Sequence, residues 1–229
     1  MKETNVPWSV GEALLALMII SVLSFLVGSL VLPFLTDTGT QFLLAGTLQT
    51  VFIFVVLYYY LNLKHRVTFQ NIGFRTRPFF STILRAMSWG IGIFLVVIVS
   101  GTVIDHFLPG QPQLQPFAKL VLEADNGWDL LLPLFLAVIV APLGEEAFFR
   151  GFLYPALKQK IGLLPGVIVA GSIFGLMHFD IVRFLPLALG GMGLIWLYEK
   201  AETIYAPILA HGLWNGVMVM MLFATANSA

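Results

Sequence analysis

The chain of 229 residues contains no cysteine. This excludes a disulfide framework and any cysteine-ligated metal site. Charged residues are also scarce, at 10% against roughly 25% in an ordinary soluble domain, so there is little polar material to cover a surface in water. The 12 Lys and Arg residues balance the 12 Asp and Glu residues, and this lack of a net basic charge argues against a nucleic-acid partner.

Most of the chain is instead hydrophobic, at 59% of its residues, which excludes a disordered chain. Seven apolar runs are candidates for membrane helices. The runs cover residues 13–35, 41–61, 86–104, 130–144, 161–179, 184–198 and 203–224. We therefore predict an all-α fold, a polytopic bundle of seven or eight transmembrane helices around a buried polar cavity, with the lipid bilayer as its solvent. The count depends on the stretch 117–160, which could hold a short interfacial helix at 117–124.

Basic residues in the loops predict the orientation. Five of them follow the second run with no acidic residue among them: Lys64, Arg66, Arg75, Arg77 and Arg85. Lys158, Lys160 and Lys200 lie in loops on the same side. Because cytoplasmic loops are enriched in Lys and Arg, we predict a cytoplasmic N terminus. We expect one integrated membrane domain, with N-terminal helices and loops at 1–127 and a functional helical core at 128–229.

Three acidic or basic residues occur together where the fourth run ends. An ionisable residue inside a membrane is costly and needs either a partner or a function. Glu146 and Arg150 are four residues apart, so they can pair on one helix, whereas Glu145 points elsewhere and stays free for chemistry. The alternative is a charged helix end at the membrane surface.

Further polar residues occur in the fifth and seventh runs. His178 ends one run, and His211 and Asn215 share a helix face in the other; an interfacial histidine and hydrogen bonding between helices are the simpler explanations. If the fourth and fifth runs form a hairpin turning near 158–163, Glu145 and His178 both lie roughly 20 Å from one membrane face. His211 and Asn215 then lie near the same depth, which favours a buried, wet, functional cavity.

Such a cavity contains the groups needed to attack an amide carbonyl with water. A carboxylate beside a histidine can act as general base, and a second histidine with an amide can donate to an oxyanion. No Gly-x-Ser-x-Gly motif and no cysteine is present, which argues against a covalent nucleophile. Zinc held by two histidines and a carboxylate is the second scheme, although His-Glu-x-x-His is absent.

At these residues the chain resembles the CPBP intramembrane proteases, also called the Abi family, which include the eukaryotic CAAX prenyl endopeptidases. The resemblance rests on three motifs in order: Glu145-Glu146-x-x-x-Arg150, Phe174-x-x-x-His178 and His211-x-x-x-Asn215. It covers about residues 128–225. It implies that Glu145 and His178 activate the catalytic water, that His211 and Asn215 form the oxyanion site, and that Glu146 and Arg150 support them. It does not decide between a metal-free and a zinc-dependent enzyme, and our first expectation is no cofactor.

The resemblance implies a peptide or membrane-protein substrate, hydrolysed by an intramembrane endopeptidase. The short chain is typical of prokaryotic members, which predicts a multi-pass protein of the prokaryotic plasma membrane and argues against a prenylated substrate. Two alternatives stay open. One is a non-catalytic immunity or scaffold protein of the same family, and the other is a small proton-coupled transporter, which lacks the inverted repeat common in that class.

Overall fold

The computed structural model describes residues 5–107, 115–124 and 127–226, and within these ranges it is built from helices without a strand. We number eight helices along the chain. They are α1 (Val10–Val31), α2 (Thr38–Tyr58), α3 (Phe79–Phe107), α4 (Pro116–Leu122), α5 (Trp128–Ile161), α6 (Leu163–Leu176), α7 (Phe184–Ala201) and α8 (Tyr205–Ala226). The predicted all-α membrane bundle is confirmed. Residues 108–114, in the loop before α4, lie outside the described residues.

Five helices of the described ranges are long and apolar enough to cross a membrane: α1, α2, α3, α5 and α8. The apolar α6 has only 14 residues, and α7 carries Glu199 and Lys200 in its last turn. The expected hairpin between the fourth and fifth runs is present, since α5 and α6 meet at Gly162, whose φ is +87°. The total of seven or eight spans stays a prediction.

The starts of α1 and α2 are fixed by side chains that bond free backbone N–H groups. Ser9 and Glu12 form a reciprocal capping box at the first turn of α1. Asp37 accepts a hydrogen bond from the N–H of Thr40 at the start of α2. These caps set where each apolar helix begins and therefore how far it reaches across the membrane.

Helix α5 is not a uniform α-helix. Its backbone widens to π-helical turns at Leu136–Val140 and again at Ala147–Leu153. The α-helical segment between them, Ala141–Glu146, contains Pro142 as well as both acidic residues of the first motif. Wide turns inside α-helices are rare and frequently occur at functional sites.

Helices α6 and α7 pack closely because glycines line their contact. A Cβ atom at Gly175 would lie 2.8 Å from the carbonyl oxygen of Phe184, and one at Gly171 would lie 2.9 Å from that of Ala188. Neither position can carry a side chain without moving the backbone opposite. The close approach brings the backbone of Gly191 to the interior of the bundle, where it meets α5.

The segment before α1 is anchored to α5. The indole N–H of Trp8 donates to the carbonyl of Phe152 at 2.8 Å, and the two rings stack with centroids 4.8 Å apart. The N–H of Val6 donates to the side chain of Gln159. Trp8 is only 2% exposed, so the beginning of the described chain is part of the core and contacts the second wide turn of α5.

Candidate active site

Glu146 and Arg150 form a buried ion pair within the bundle. Oε1 of Glu146 lies 2.9 Å from Nη1 of Arg150, and both side chains are fully buried. Nη2 of Arg150 donates to the carbonyl of Gly191 on α7 at 3.1 Å. A buried charge needs a partner of opposite sign, and this pair, predicted from the spacing, also fastens α5 to α7.

His211 on α8 joins this pair. Its Nδ1 atom lies 2.7 Å from the same Oε1 of Glu146, and the ring is 3% exposed. Because a carboxylate oxygen only accepts hydrogen bonds, Nδ1 carries the proton. The other ring nitrogen, Nε2, therefore faces away from Glu146 and toward Glu145.

Glu145 lies on that open side. Its Oε2 atom is 3.9 Å from Nε2 of His211, and its side chain is 23% exposed, whereas that of Glu146 is fully buried. Two consecutive carboxylates thus have different environments: the inner one holds Arg150 and His211, and the outer one is accessible. The expected Glu146–Arg150 pair is present, and the chemical role of Glu145 stays a prediction.

Phe174 on α6 connects the three sequence motifs. Its ring lies 4.5 Å from the guanidinium carbon of Arg150, and its centroid is 5.0 Å from the ring of His178 and 5.8 Å from that of His211. From the sequence Phe174 is one position of a motif and has no predicted role. In the fold one aromatic ring contacts both histidines and the buried cation.

His178 lies just past the end of α6 and is half-buried. Its Nδ1 atom is 2.9 Å from the carbonyl of Phe174, so Nδ1 donates and Nε2 is free in the neutral ring. The next residue, Phe179, has a positive φ of 51° and is 88% exposed. His178 therefore marks the point where the helical wall of the site gives way to a loop.

Asn215 bonds to the backbone of α5. Its Nδ2 atom donates to the carbonyl of Ala137 at 2.9 Å. In the first wide turn the N–H of Ala141 bonds to the carbonyl of Leu136, and the next residue, Pro142, has no N–H to bond the carbonyl of Ala137 in the same register. Asn215 supplies the missing donor, and one N–H of its amide remains for another partner.

Gly212 allows α8 to reach this part of α5. A Cβ atom at Gly212 would lie 2.4 Å from the carbonyl oxygen of Val138, a distance at which the two backbones could not stay in place. The glycine after His211 is thus needed to bring His211 and Asn215 to the first motif. The sequence signal for it is the glycine in the short His-Gly-Leu-Trp-Asn string, directly after His211.

The arrangement does not fit the zinc alternative. Within the described ranges, no three His, Asp or Glu side chains lie close enough to hold one metal ion. Nδ1 of each histidine already bonds to a protein oxygen, and Glu146 is committed to Arg150. A tetrahedral zinc site needs three protein ligands converging on one point, and this side-chain arrangement does not provide them.

Comparison with known proteins gives one family. Residues 127–217 match the family model for type II CAAX prenyl endopeptidase, Rce1-like. A Bacillus subtilis protein named "Putative membrane peptidase YdiL" is 26% identical over 58% of this chain and 55% of its own length. Rat CAAX prenyl protease 2 is 35% identical over 34% of this chain and 25% of its own length.

An uncharacterised protein of Mycoplasma capricolum is 28% identical over 42% of this chain and 29% of its own length. The matches thus span about half, or less, of the curated relatives. No solved structure matches the chain. The family match covers all three motifs, from the start of α5 into α8, and it confirms the resemblance drawn from those motifs.

Proposed function

We propose that this chain, a member of the Rce1-like CAAX prenyl endopeptidase family of membrane proteases through residues 127–217, cleaves a peptide bond inside the membrane with a water activated by Glu145. The observation that supports this most is the position of His211 between two carboxylates. Glu146 fixes one ring nitrogen at 2.7 Å, and Glu145 lies 3.9 Å from the other. This places a partly exposed carboxylate, the proposed base, beside a histidine whose ring orientation is fixed, the proposed oxyanion donor.

In the proposed reaction, Glu145 accepts a proton from water while the oxygen attacks the carbonyl carbon of the substrate. His178, with Nδ1 bonded to Phe174, assists at the same water through Nε2. The ring of His211, on its Nε2 side, and the remaining amide N–H of Asn215 face the oxyanion and stabilise it. The C–N bond then breaks, Glu145 returns the proton to the leaving nitrogen, and an acid and an amine result.

The roles of Glu146 and Arg150 in this scheme are positional. They are fully buried and meet no substrate, but they fix the ring of His211 and tie α5 to α7. We propose a peptide or membrane-protein substrate that reaches the site from the bilayer, in the plasma membrane of a prokaryotic cell. The functional core at 128–229 and the helices before it act in this proposal as one membrane domain.

The test is cleavage of a quenched peptide library by the purified protein in lipid nanodiscs, with and without a metal chelator. We expect cleavage that survives the chelator, is lost in Glu145→Gln and falls strongly in His178→Asn, while thermal unfolding of both variants stays near that of the unchanged protein. Full cleavage by a folded Glu145→Gln variant would refute the proposal. Loss of cleavage on chelation would replace it with the zinc-dependent scheme.

A scaffold role is the second candidate, because Asn215 and the Glu146–Arg150 pair make contacts that hold helices together. It is distinguished by the same Glu145→Gln variant. A scaffold keeps its cellular phenotype when this carboxylate becomes an amide of equal shape, whereas a protease loses it.

A further inference from the structure

The charges of this neutral chain are separated between the two ends of the bundle. Ion pairs and hydrogen bonds join the N-terminal end of α1, the C-terminal ends of α2, α5 and α7 and the start of α3 at one end. This end carries eight cations, Lys64, Arg66, Arg75, Arg77, Arg85, Lys158, Lys160 and Lys200, and three acids, Glu12, Glu199 and Glu202. Its net charge is therefore +5, and we call it the basic end.

Each acid at the basic end is already paired. Glu12 binds Lys64, Glu199 binds Lys158, and Glu202 binds Arg77. The ion pairs of the described part of the chain leave five cations of the basic end without a carboxylate partner: Arg66, Arg75, Arg85, Lys160 and Lys200. The guanidinium groups of Arg75 and Arg85 donate to the backbone carbonyls of Gln70 and Lys200, and each keeps further N–H donors for an anion from outside the protein.

Three of these five cations come together beside the turn between α7 and α8. The carbonyl of Arg75 accepts a hydrogen bond from Thr203 at 2.8 Å, and the guanidinium of Arg85 donates to the carbonyl of Lys200 at 3.1 Å. The N–H of Ile204 bonds to the carbonyl of Gly73, which fixes the segment before α3 against this turn. These bonds place the backbone of Arg75, the guanidinium of Arg85 and the backbone of Lys200 at the same turn. All three side chains are exposed.

An apolar groove begins directly below these cations, toward the membrane interior. It has a volume of about 410 Å³ and is lined chiefly by Ser88, Trp89, Gly92, Val96, Leu189 and Gly193. On α3 these residues follow Arg85 at three, four, seven and eleven positions, which is one helix face. On α7, Leu189 and Gly193 precede Lys200 by eleven and seven, again on one face.

The depth of the groove depends on two glycines. A Cβ atom at Gly92 would meet nothing within 4 Å, so the space over it is open. Gly193 lets α7 approach Ile93 so closely that a Cβ atom there would lie 2.7 Å from the Ile93 side chain. Gly92 is seven residues, or roughly 10 Å, from Arg85 along α3, a separation that suits a headgroup and the first part of an acyl chain.

We propose that Arg75, Arg85 and Lys200, with the groove over Gly92, form a binding site for one anionic glycerophospholipid. The phosphate binds the three cations and an acyl chain lies against Trp89 and Gly92. A soluble phosphate could bind the cations but has no acyl chain to fill the groove. A zwitterionic lipid could fill the groove, but without net negative charge it is attracted only weakly by the three cations. Leu189 and Gly193, which line the groove, lie on the side of α7 opposite Gly191, which Arg150 contacts. The lipid site therefore does not depend on the proposed peptidase activity.

The experiment is native mass spectrometry of the full chain, released from micelles that contain equal amounts of phosphatidylglycerol and phosphatidylcholine with identical acyl chains. We expect phosphatidylglycerol to be retained preferentially. Arg85→Gln and Lys200→Gln should each lower that preference about fivefold, since one cation near the surface contributes about 1 kcal/mol. Equal retention of the two lipids by the unchanged protein would overturn the proposal.

Two matched variants on α3 test the groove. Gly92→Leu fills it without a clash, whereas Gly101→Leu places the same side chain outside the groove, where a Cβ atom would meet Pro186 only at 4.0 Å. We expect Gly92→Leu to lose bound phosphatidylglycerol and Gly101→Leu to keep it. If Gly92→Leu retains the lipid as well as the unchanged protein, or if glycerol phosphate alone competes fully, the cations bind a free anion and the lipid site is refuted.

Discussion

Oε1 of Glu146 lies 2.7 Å from Nδ1 of His211, and this contact joins the first and third sequence motifs. The same oxygen also meets Arg150 at 2.9 Å. A single buried carboxylate oxygen therefore holds one cation on its own helix and one ring on α8. The neighbouring Glu145 takes no part in this pair with Arg150 and is 23% exposed.

Glu146→Gln should lower the free energy of unfolding by about 3–5 kcal/mol, because it leaves the fully buried Arg150 without a negative partner. Glu145→Gln should change it by no more than about 1 kcal/mol, since that side chain is partly exposed and outside the pair. Unfolding of both variants by increasing denaturing detergent in mixed micelles checks this. Equal stability of the two variants would show that the buried pair is not what holds these helices.

Asn215→Ala should cost about 1–3 kcal/mol, because the carbonyl of Ala137 is left unbonded. Pro142→Ala restores an N–H that can bond that carbonyl, so we expect Asn215→Ala to cost much less in the Pro142→Ala background. A double-mutant cycle of unfolding free energies measures this coupling. Strictly additive effects would mean that proline is not the reason why Asn215 is needed.

Trp8→Phe should cost about 1–3 kcal/mol, because the ring still packs but the buried carbonyl of Phe152 loses its hydrogen bond. The matched control is Trp196→Phe, since Trp196 packs on the same core without a hydrogen bond of its indole among the described residues. Thermal unfolding in detergent compares the two. If Trp8→Phe is no less stable than Trp196→Phe, the hydrogen bond from Trp8 to Phe152 does not stabilise the fold.

Asp180, in the loop between α6 and α7, should stabilise the fold in a pH-dependent way. Burial raises its pKa, but hydrogen bonds and charge from Arg183 and a hydrogen bond from Gln115 outweigh burial, so the pKa of Asp180 is lowered on balance. A lowered pKa contributes stability that is present above the unfolded value of about 3.9 and is lost as pH falls through the folded value.

The stability difference between the unchanged protein and Asp180→Asn should therefore be full at pH 7 and disappear in acid. Unfolding measured from pH 7 down to below the unfolded pKa of aspartate tests this. Arg183→Gln should reduce the same difference, because the guanidinium at 2.8 Å is one of the groups that favour the carboxylate. If the stability difference between the unchanged protein and Asp180→Asn does not change with pH, the ionised carboxylate of Asp180 is not its cause.

Much of this architecture could be predicted from the sequence because membrane helices are specified by long apolar runs. The hairpin at Gly162 followed from Lys158 and Lys160 between two such runs, and the Glu146–Arg150 pair followed from spacing on one helix. Both are local properties of the chain. The roles assigned to Glu145, His178, His211 and Asn215 remain predictions.

The contacts between helices could not be predicted in the same way. That His211 bonds to Glu146, and that Phe174 lies between the histidines, depends on the rotation of three helices about their axes. The first wide turn of α5 changes that rotation locally, and its orphaned carbonyl at Ala137 decides the partner of Asn215. A sequence pattern based on 3.6 residues per turn predicts neither the wide turn nor the glycine contacts that let α8 approach α5.

Because of the wide turn at Ala147–Leu153, the number of residues in α5 decides where its side chains point, as much as their identity decides what they bind. The wide turn begins directly after the two carboxylates and contains Phe152, the residue that Trp8 contacts. Deleting one residue from the regular helix before it would turn the carboxylates by about 100° relative to the rest of the helix. Deleting one residue from the wide turn itself would let a regular α-helix form, and Arg150 would lose the widened backbone that positions it. Among relatives that keep these carboxylates, insertions and deletions should therefore be absent between residues 141 and 153 and tolerated in the loops, however far the side chains themselves diverge.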